Sequence, residues 1–332
     1  MLDLNKNDCQ LRFDLIKLRI NPGPRQRMIG APELTHRTPV VTLPVPVAPN
    51  LMSTHLQTVL RLIEARLASI SDAPRLEAEW LVEHVCEFNR TEQRLNPSAE
   101  LSADQLEKIN ELTSRRSAGE PLAYVLGEQH FWTLRLQVSP AVLIPRPETE
   151  LLVERALQHL TVKSAAQVLD LGTGSGAIAL AVAKERPTAR VLAVDHSAAA
   201  LQIARENAVL NQVENASFLR SDWFAAIPSQ RFDLILSNPP YIAAGDPDLD
   251  ALVLAHEPAD ALISGADGLT AIRQIVGGAG EFLRPGGWLA LEHGWRQASA
   301  VRQLLESNGF TSVASHADLA GHQRVTEAQA PA

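Results

Sequence analysis

The stretch Gln167-Val168-Leu169-Asp170-Leu171-Gly172-Thr173-Gly174-Ser175-Gly176-Ala177-Ile178-Ala179-Leu180 decides the reading of this 332-residue chain. An apolar, strand-like run passes straight into a loop with glycine at every second position, and a helical pattern starts at once. Glycine admits left-handed backbone angles and a close approach to a ligand, so a strand, glycine loop and helix in succession predict a cofactor cradle. The spacing is G-x-G-x-G, whereas dinucleotide-binding loops use G-x-G-x-x-G. Working outward, the pattern predicts a helix near 148–160 and strands near 167–171, 190–195, 216–220, 232–237 and 287–292, with helical stretches between most of them. Such alternation predicts a doubly wound, mostly parallel α/β sheet whose ligands bind at the carboxyl ends of the strands.

Three acidic positions fit that site. Asp170 ends the first strand, where a carboxylate meets a ligand's ammonium group directly or through water. Val194-Asp195 ends the next strand, placed to accept hydrogen bonds from ribose hydroxyls. Ser221-Asp222-Trp223 follows the third strand, with Asp222 facing an adenine amino group and Trp223 against the ring. A tryptophan after a strand is by itself more often core than pocket; its place beside the switch point of the sheet favours the pocket. Ammonium, ribose and adenine together fit S-adenosylmethionine.

Phe232-Asp233-Leu234-Ile235-Leu236-Ser237 reads as a buried strand, and Asn238-Pro239-Pro240-Tyr241 stands at its carboxyl end. Asn-Pro is a common turn dipeptide, but two consecutive prolines also lock the backbone around Asn238. That stiffness suits methyl transfer to a planar amide or amino nitrogen, whose lone pair is delocalised and must be aimed. The Asn238 side-chain oxygen and the Pro239 carbonyl can accept both hydrogens of a substrate NH2 group, and Tyr241 can pack on its flat face. The proton can leave after transfer, so no strong general base is required.

The remaining chain narrows the class. A composition of 45% hydrophobic and 20% charged residues is that of a globular protein, and a formal charge of −8 gives no broad basic footprint for nucleic acid. Cys9 and Cys86 make neither a disulfide framework nor a cysteine-rich zinc site, and the ten histidines lack metal-ligand spacing, so no metal is expected. Charged residues interrupt the first twenty positions and no apolar span is long enough for a membrane helix; the expected location is the cytoplasm. Residues 1–51 carry seven prolines between Pro22 and Pro49 and read as an extended or disordered extension, with the functional chain starting near Met52. From 52 to 120 the period is helical: a stripe from Leu56 to Ile70, a second helix opened by Pro74 with Leu76, Trp80, Leu81, Val85 and Phe88, and a third opened by a Ser102/Gln105 capping box and closed by Gly119. This region holds no cluster of catalytic residue types and is expected to dock a partner. Residues 121–146 read as a β-hairpin linker, with Tyr124-Val125-Leu126 and Trp132 to Val138 as strands separated by Gly127, and 147–328 as the sheet domain.

On these residues the chain resembles the bacterial release factor glutamine methyltransferases, over roughly 54–328. The marks are Ile144-Pro145-Arg146-Pro147-Glu148-Thr149-Glu150, the run from Asp170 to Gly176, Asn238 to Tyr241, His256-Glu257-Pro258 and Leu291-Glu292-His293-Gly294. The resemblance implies a class I methyltransferase fold, Rossmann-like with a seven-stranded sheet, and transfer from S-adenosylmethionine to the glutamine of the Gly-Gly-Gln motif of class 1 peptide-chain release factors. It also implies cofactor contacts from Gly172, Thr173, Gly174, Ser175 and Gly176, from Asp195 and Trp223, and from Asn238, which serves cofactor and substrate. Substrate contacts fall to Asn238, Pro239, Pro240 and Tyr241, and the helical region becomes the release-factor docking element. Arg146 and Glu150 either shape the entrance over the glutamine or pair with each other across one helical turn. Glu257 is typical of the family and equally compatible with a structural role.

Two alternatives belong to other substrates. A glutamine of a large-subunit ribosomal protein would suit the same chemistry, although the runs from Leu126 to Glu150 and from Ser221 to Phe224 lean to the release-factor branch. Adenine-N6 methylation of nucleic acid would reuse Asn-Pro-Pro-Tyr on a flipped base, yet the chain lacks the basic groove and recognition insert this requires. A cofactor-binding scaffold without catalysis is the non-enzymatic reading, against which loss of transfer in Asn238→Ala with cofactor binding intact would speak.

Overall fold

The computed structural model describes residues 54–162 and 165–331. The proline-rich stretch 1–51, Cys9 and Met52 lie outside these residues.

The amino-terminal helices are α1 (Leu56–Leu67), α2 (Pro74–Cys86), α3 (Arg90–Leu95) and α4 (Ala103–Ser117). Leu56, Val59, Leu60, Ile63 and Leu67 of α1 are buried on one face, as their spacing requires. Pro74 sits in the first turn of α2, where its missing N–H costs nothing, and Ser102 and Gln105 cap α4 reciprocally. The buried face of α2 is Ala78, Glu79, Leu81 and Val82, so the expected stripe from Leu76 to Phe88 is rotated, and Trp80 is only half-buried. Glu79 explains the rotation. Its carboxylate takes Arg75 at 3.1 Å and Arg90 at 2.7 Å, which lets a charge face inward. The short α3 was not anticipated, although Asn89 and Glu92 form a complete capping box.

The linker differs from expectation. Tyr124-Val125-Leu126 belongs to a short helix, α5 (Leu122–Leu126), ended by Gly127 at φ +73. The hairpin pairs β1 (Glu128–Phe131) with β2 (Leu134–Gln137), one element later than read from the sequence. Tertiary contact explains the shift: the Tyr124 hydroxyl donates to the Val142 carbonyl at 2.6 Å, and its ring packs with Val138, Val142 and Ile144.

After α6 (Glu150–His159) comes the large sheet: β3 (Gln167–Leu171), β4 (Arg190–Asp195), β5 (Ala216–Arg220), β6 (Phe232–Ser237), β7 (Leu283–Glu292), β8 (Thr311–Ala317) and β9 (Gln323–Gln329). Its order is β5-β4-β3-β6-β7-β9-β8, parallel through β7 and antiparallel at β9 and β8. The seven strands match the number implied by the resemblance. The β8–β9 pair is not among the strands read directly from the sequence, and β7 starts earlier than the expected 287. Helices α7 (Ala177–Glu185), α8 (Ala198–Leu210), α9 (Ala251–His256), α10 (Thr270–Phe282) and α11 (Ala298–Ser307) complete the chain. Alternation along the strands feeds two cores: Val168, Leu234 and Leu236 face α6 and α7, while Leu169, Leu171 and Ile235 face α10 and α11. With the central strands covered on both faces, a ligand meets them at their carboxyl ends.

Candidate active site

The loop after β3 takes left-handed angles at Gly172 (φ +71), Gly174 (φ +54) and Gly176 (φ +85), where any side chain would be strained. The Gly172 and Thr173 N–H groups both donate to the Val194 carbonyl at 2.9 Å, fastening the loop to β4. Asp195 holds it from the same side: one carboxylate oxygen accepts the Gly174 N–H at 2.9 Å and the other the Ser197 N–H at 2.9 Å. A cleft of about 220 Å³ opens over this loop, with Thr149, Thr173, Asp195, Trp223, Asn238 and Pro240 among its walls. A second recess continues past Trp223 to Asp222, Arg220 and His196. The structure thus gathers Gly172, Thr173, Gly174, Ser175, Asp195, Asp222, Trp223 and Asn238 from four strand ends, as the order of the sheet requires.

Trp223 itself has φ +44. Ser221 stabilises this unusual turn, donating its hydroxyl to the Trp223 carbonyl at 2.7 Å and accepting the Ala226 N–H at 3.0 Å. The indole then stands beside Gly172, close enough that a Cβ on that glycine would touch the ring at 3.6 Å.

Asp170 lies beneath the loop and not on the cleft wall. It is fully buried, one oxygen accepts the Thr173 hydroxyl at 2.6 Å, and the other has no partner. Burial raises its pKa to about 7, against the lowering effect of Thr173. A buried carboxylate oxygen without a hydrogen-bond partner, under the glycine loop and beside an aromatic wall, fits an adenosine-bearing cation, and the residues present therefore suit S-adenosylmethionine.

Asn238 and Pro240 line the cleft, Pro239 is buried behind them, and Tyr241 points away toward β7, its hydroxyl 3.4 Å from Glu292. The Asn238 side-chain NH2 donates to the Thr149 hydroxyl at 3.1 Å, which leaves its oxygen for the cleft. Arg146 also lines the cleft, but its partner is Glu257 and not Glu150. Glu257 is 5% exposed and also accepts the Ile144 N–H at 3.1 Å, so it ties the linker to the wall around Pro258. Glu150 is buried and holds the hairpin turn through the Trp132 N–H at 2.9 Å, which places it outside the cleft lining. Thr149 and Glu292 were missed as site residues, although both fall inside motifs already singled out. Asn207 was missed entirely: fully buried in α8, it donates to the carbonyls of Ser175 and Gln137 and accepts the Gln137 N–H at 2.6 Å.

A glycine loop at the switch point of this sheet, with a rigid Asn-Pro-Pro-Tyr at the neighbouring strand end, defines a class I S-adenosylmethionine-dependent methyltransferase. Comparison with known proteins agrees: residues 148–265 match the methyltransferase small domain and residues 58–127 the PrmC N-terminal domain. The release factor glutamine methyltransferase of Xylella fastidiosa (strain 9a5c) is 50% identical over 257 residues, 77% of this chain and 94% of that protein. Those of Coxiella burnetii (strain RSA 493 / Nine Mile phase I) and Salmonella typhimurium (strain LT2) are 43% and 46% identical, over 80% and 77% of this chain and 96% and 92% of theirs. The chain belongs to the release factor glutamine methyltransferase family.

Proposed function

We propose that the protein methylates the side-chain nitrogen of the glutamine in the Gly-Gly-Gln motif of class 1 peptide-chain release factors, tuning translation termination in the cytoplasm. The observation that carries the reading is the orientation of Asn238. With its NH2 held by Thr149, its oxygen is the acceptor left for a substrate amide. When bound, S-adenosylmethionine supplies the electrophilic methyl group on its sulfonium. Asn238 and the Pro239 carbonyl accept the two N–H bonds of the glutamine, fix its plane, and stabilise the positive charge that develops on nitrogen. The prolines keep these acceptors still, and Tyr241, turned toward β7 and away from the expected place on the amide's flat face, braces the loop from behind. The Gly172–Gly176 loop, Asp195, Asp222 and Trp223 hold the cofactor, with Asp170 supporting from beneath. Arg146, fixed by Glu257, shapes the entrance.

Residues 52–120 are assigned to docking the release factor, a role supported by the match to the PrmC N-terminal domain and by the absence from this region of the site residues gathered above. Mass spectrometry of a purified release factor incubated with the protein and S-adenosylmethionine tests the reading. One added methyl on the Gly-Gly-Gln glutamine is expected, lost with Asn238→Ala. A methylated ribosomal protein or adenine, with the release factor unmodified, would overturn it.

A further inference from the structure

Glu292 ends β7, directly behind the catalytic loop, and is 1% exposed. β7 pairs with β6 through Leu291 and Ser237, so the carboxylate stands one residue past the register that positions Asn238. Among the described residues, no cation forms an ion pair with it. Its neighbours are the Tyr241 hydroxyl at 3.4 Å from Oε1, the Thr149 hydroxyl, Arg324 and Glu148, while Oε2 has no hydrogen-bond partner of its own. A carboxylate in such surroundings is costly to keep, and the transfer chemistry gives it no direct task.

The Thr149 hydroxyl links it to the site. Thr149 is 3% exposed and accepts the Asn238 NH2 at 3.1 Å, so its single proton must point elsewhere, and Glu292 is the acceptor on that side. We propose that Glu292 is a positioning residue that sets the direction of the hydrogen-bond chain from Asn238 through Thr149, committing the Asn238 oxygen to the cleft. Burial delays ionisation of Glu292 to about pH 7, so the assays that test the chain are run at about pH 8, where the carboxylate only accepts. Thr149 therefore donates to Glu292 and accepts from Asn238, and the asparagine amide can sit only one way round. Reversal would present an NH2 group to the substrate's NH2 group, donor against donor, and lose the contact that aims the lone pair. Tyr241, donating to the same carboxylate, is fixed by the same anchor. The substrate never touches Glu292.

This inference rests on the glutamine-methylation reading, and one experiment separates the two. Purified full-length protein and its Glu292→Gln, Thr149→Val and Thr149→Ser variants are assayed for methyl transfer to a purified class 1 release factor. The side-chain amide resonances of Asn238 are followed in 15N-asparagine-labelled protein, assigned by their loss in Asn238→Ala. Glutamine is isosteric with glutamate but can donate, so the chain loses its direction. Glu292→Gln and Thr149→Val should each lower kcat about 10- to 100-fold, the scale of losing one preorganised polar contact, with much smaller changes in KM and in cofactor affinity. Thr149→Ser, which keeps the hydroxyl, should retain most activity. The double variant should be no worse than its worse single parent, since both break one chain. The Asn238 resonances should move in Glu292→Gln and Thr149→Val and stay in Thr149→Ser. Wild-type kcat together with unmoved resonances in Glu292→Gln would overturn the inference. If Glu292→Gln fails to fold, Thr149→Val against Thr149→Ser makes the same decision. If the wild-type protein leaves the release factor unmethylated, the substrate reading falls and the resonances alone decide the chain.

Discussion

At the residue scale, the site depends on positions whose importance is invisible until the chain is folded. Gly268 has φ +74, and a Cβ there would collide with the carbonyl of Tyr241, 27 positions earlier in the sequence. Gly268→Ala should destabilise the protein by about 1–3 kcal/mol from the backbone angle alone. It should also cost more than about 10-fold in kcat by displacing the catalytic loop. Thermal unfolding and steady-state kinetics check both; wild-type values would show that the loop tolerates the displacement. Asp170 makes a second test. Burial holds its pKa near 7 from an ordinary 3.8, so around pH 6 much of it is protonated in the ligand-free protein. A cation bound above the loop favours the carboxylate, so cofactor binding should release protons and tighten as pH rises toward about 7 and then level off. Calorimetric titration in buffers of different ionisation enthalpy measures the release. An Asp170→Asn variant with the same pH slope as wild type would sink the assignment.

At the element scale, the hairpin shows where local pattern gives way to context. Tyr124-Val125-Leu126 consists of good strand formers, yet it closes as a helix because the Tyr124 ring and hydroxyl are taken by the linker downstream. The hairpin then brackets the cofactor loop through α8. Asn207 grips Gln137 and Ser175 together, and Asn211 exchanges hydrogen bonds with the Arg135 backbone at 3.1 and 2.8 Å. Asn207→Ala removes three hydrogen bonds, the one to Ser175 fully buried, and strands their partners, a loss of about 2–3 kcal/mol. Because one of those partners is the Ser175 carbonyl, cofactor affinity should fall as well. Denaturant unfolding and a binding titration read the two effects; lost stability with unchanged affinity would show that the hairpin does not brace the loop.

At the scale of the whole molecule, buried carboxylates set the response to pH. Asp170 and Glu292 both have folded pKa values of about 7, raised by burial from 3.8 and 4.5. Each favours the folded state when protonated, so their contribution is fully present below the unfolded values and is lost as pH rises to about 7. Glu327 acts in the opposite sense. Burial would raise it, but His159 and Arg155 outweigh that and bring it to about 2, so its contribution is present above 4.5 and lost on further acidification. For the ligand-free protein, the melting temperature should therefore decline between about pH 5 and 7, and an Asp170→Asn/Glu292→Gln double variant should flatten that decline, each kcal/mol being worth roughly 2–4 °C. An unchanged slope in the double variant would assign the pH dependence to other groups.

The β3 strand, the glycine loop and the Asn-Pro-Pro-Tyr turn were legible in the sequence because each is a local device. Period, left-handed angles and proline stiffness are properties of adjacent residues, and they sufficed for the parallel sheet and for much of the cleft wall. The chain alone also set the α1 stripe and the α4 cap. What only the tertiary structure decided was which distant groups meet: Arg146 with Glu257 and not Glu150, Asn207 with Ser175, Gly268 under Tyr241, and Thr149 between Asn238 and Glu292. These are contacts across strand order and helix packing, where burial strengthens hydrogen bonds and makes an unpaired group costly. The glycine loop that fixed the fold floors the cleft; the packing behind it determines which way the asparagine faces.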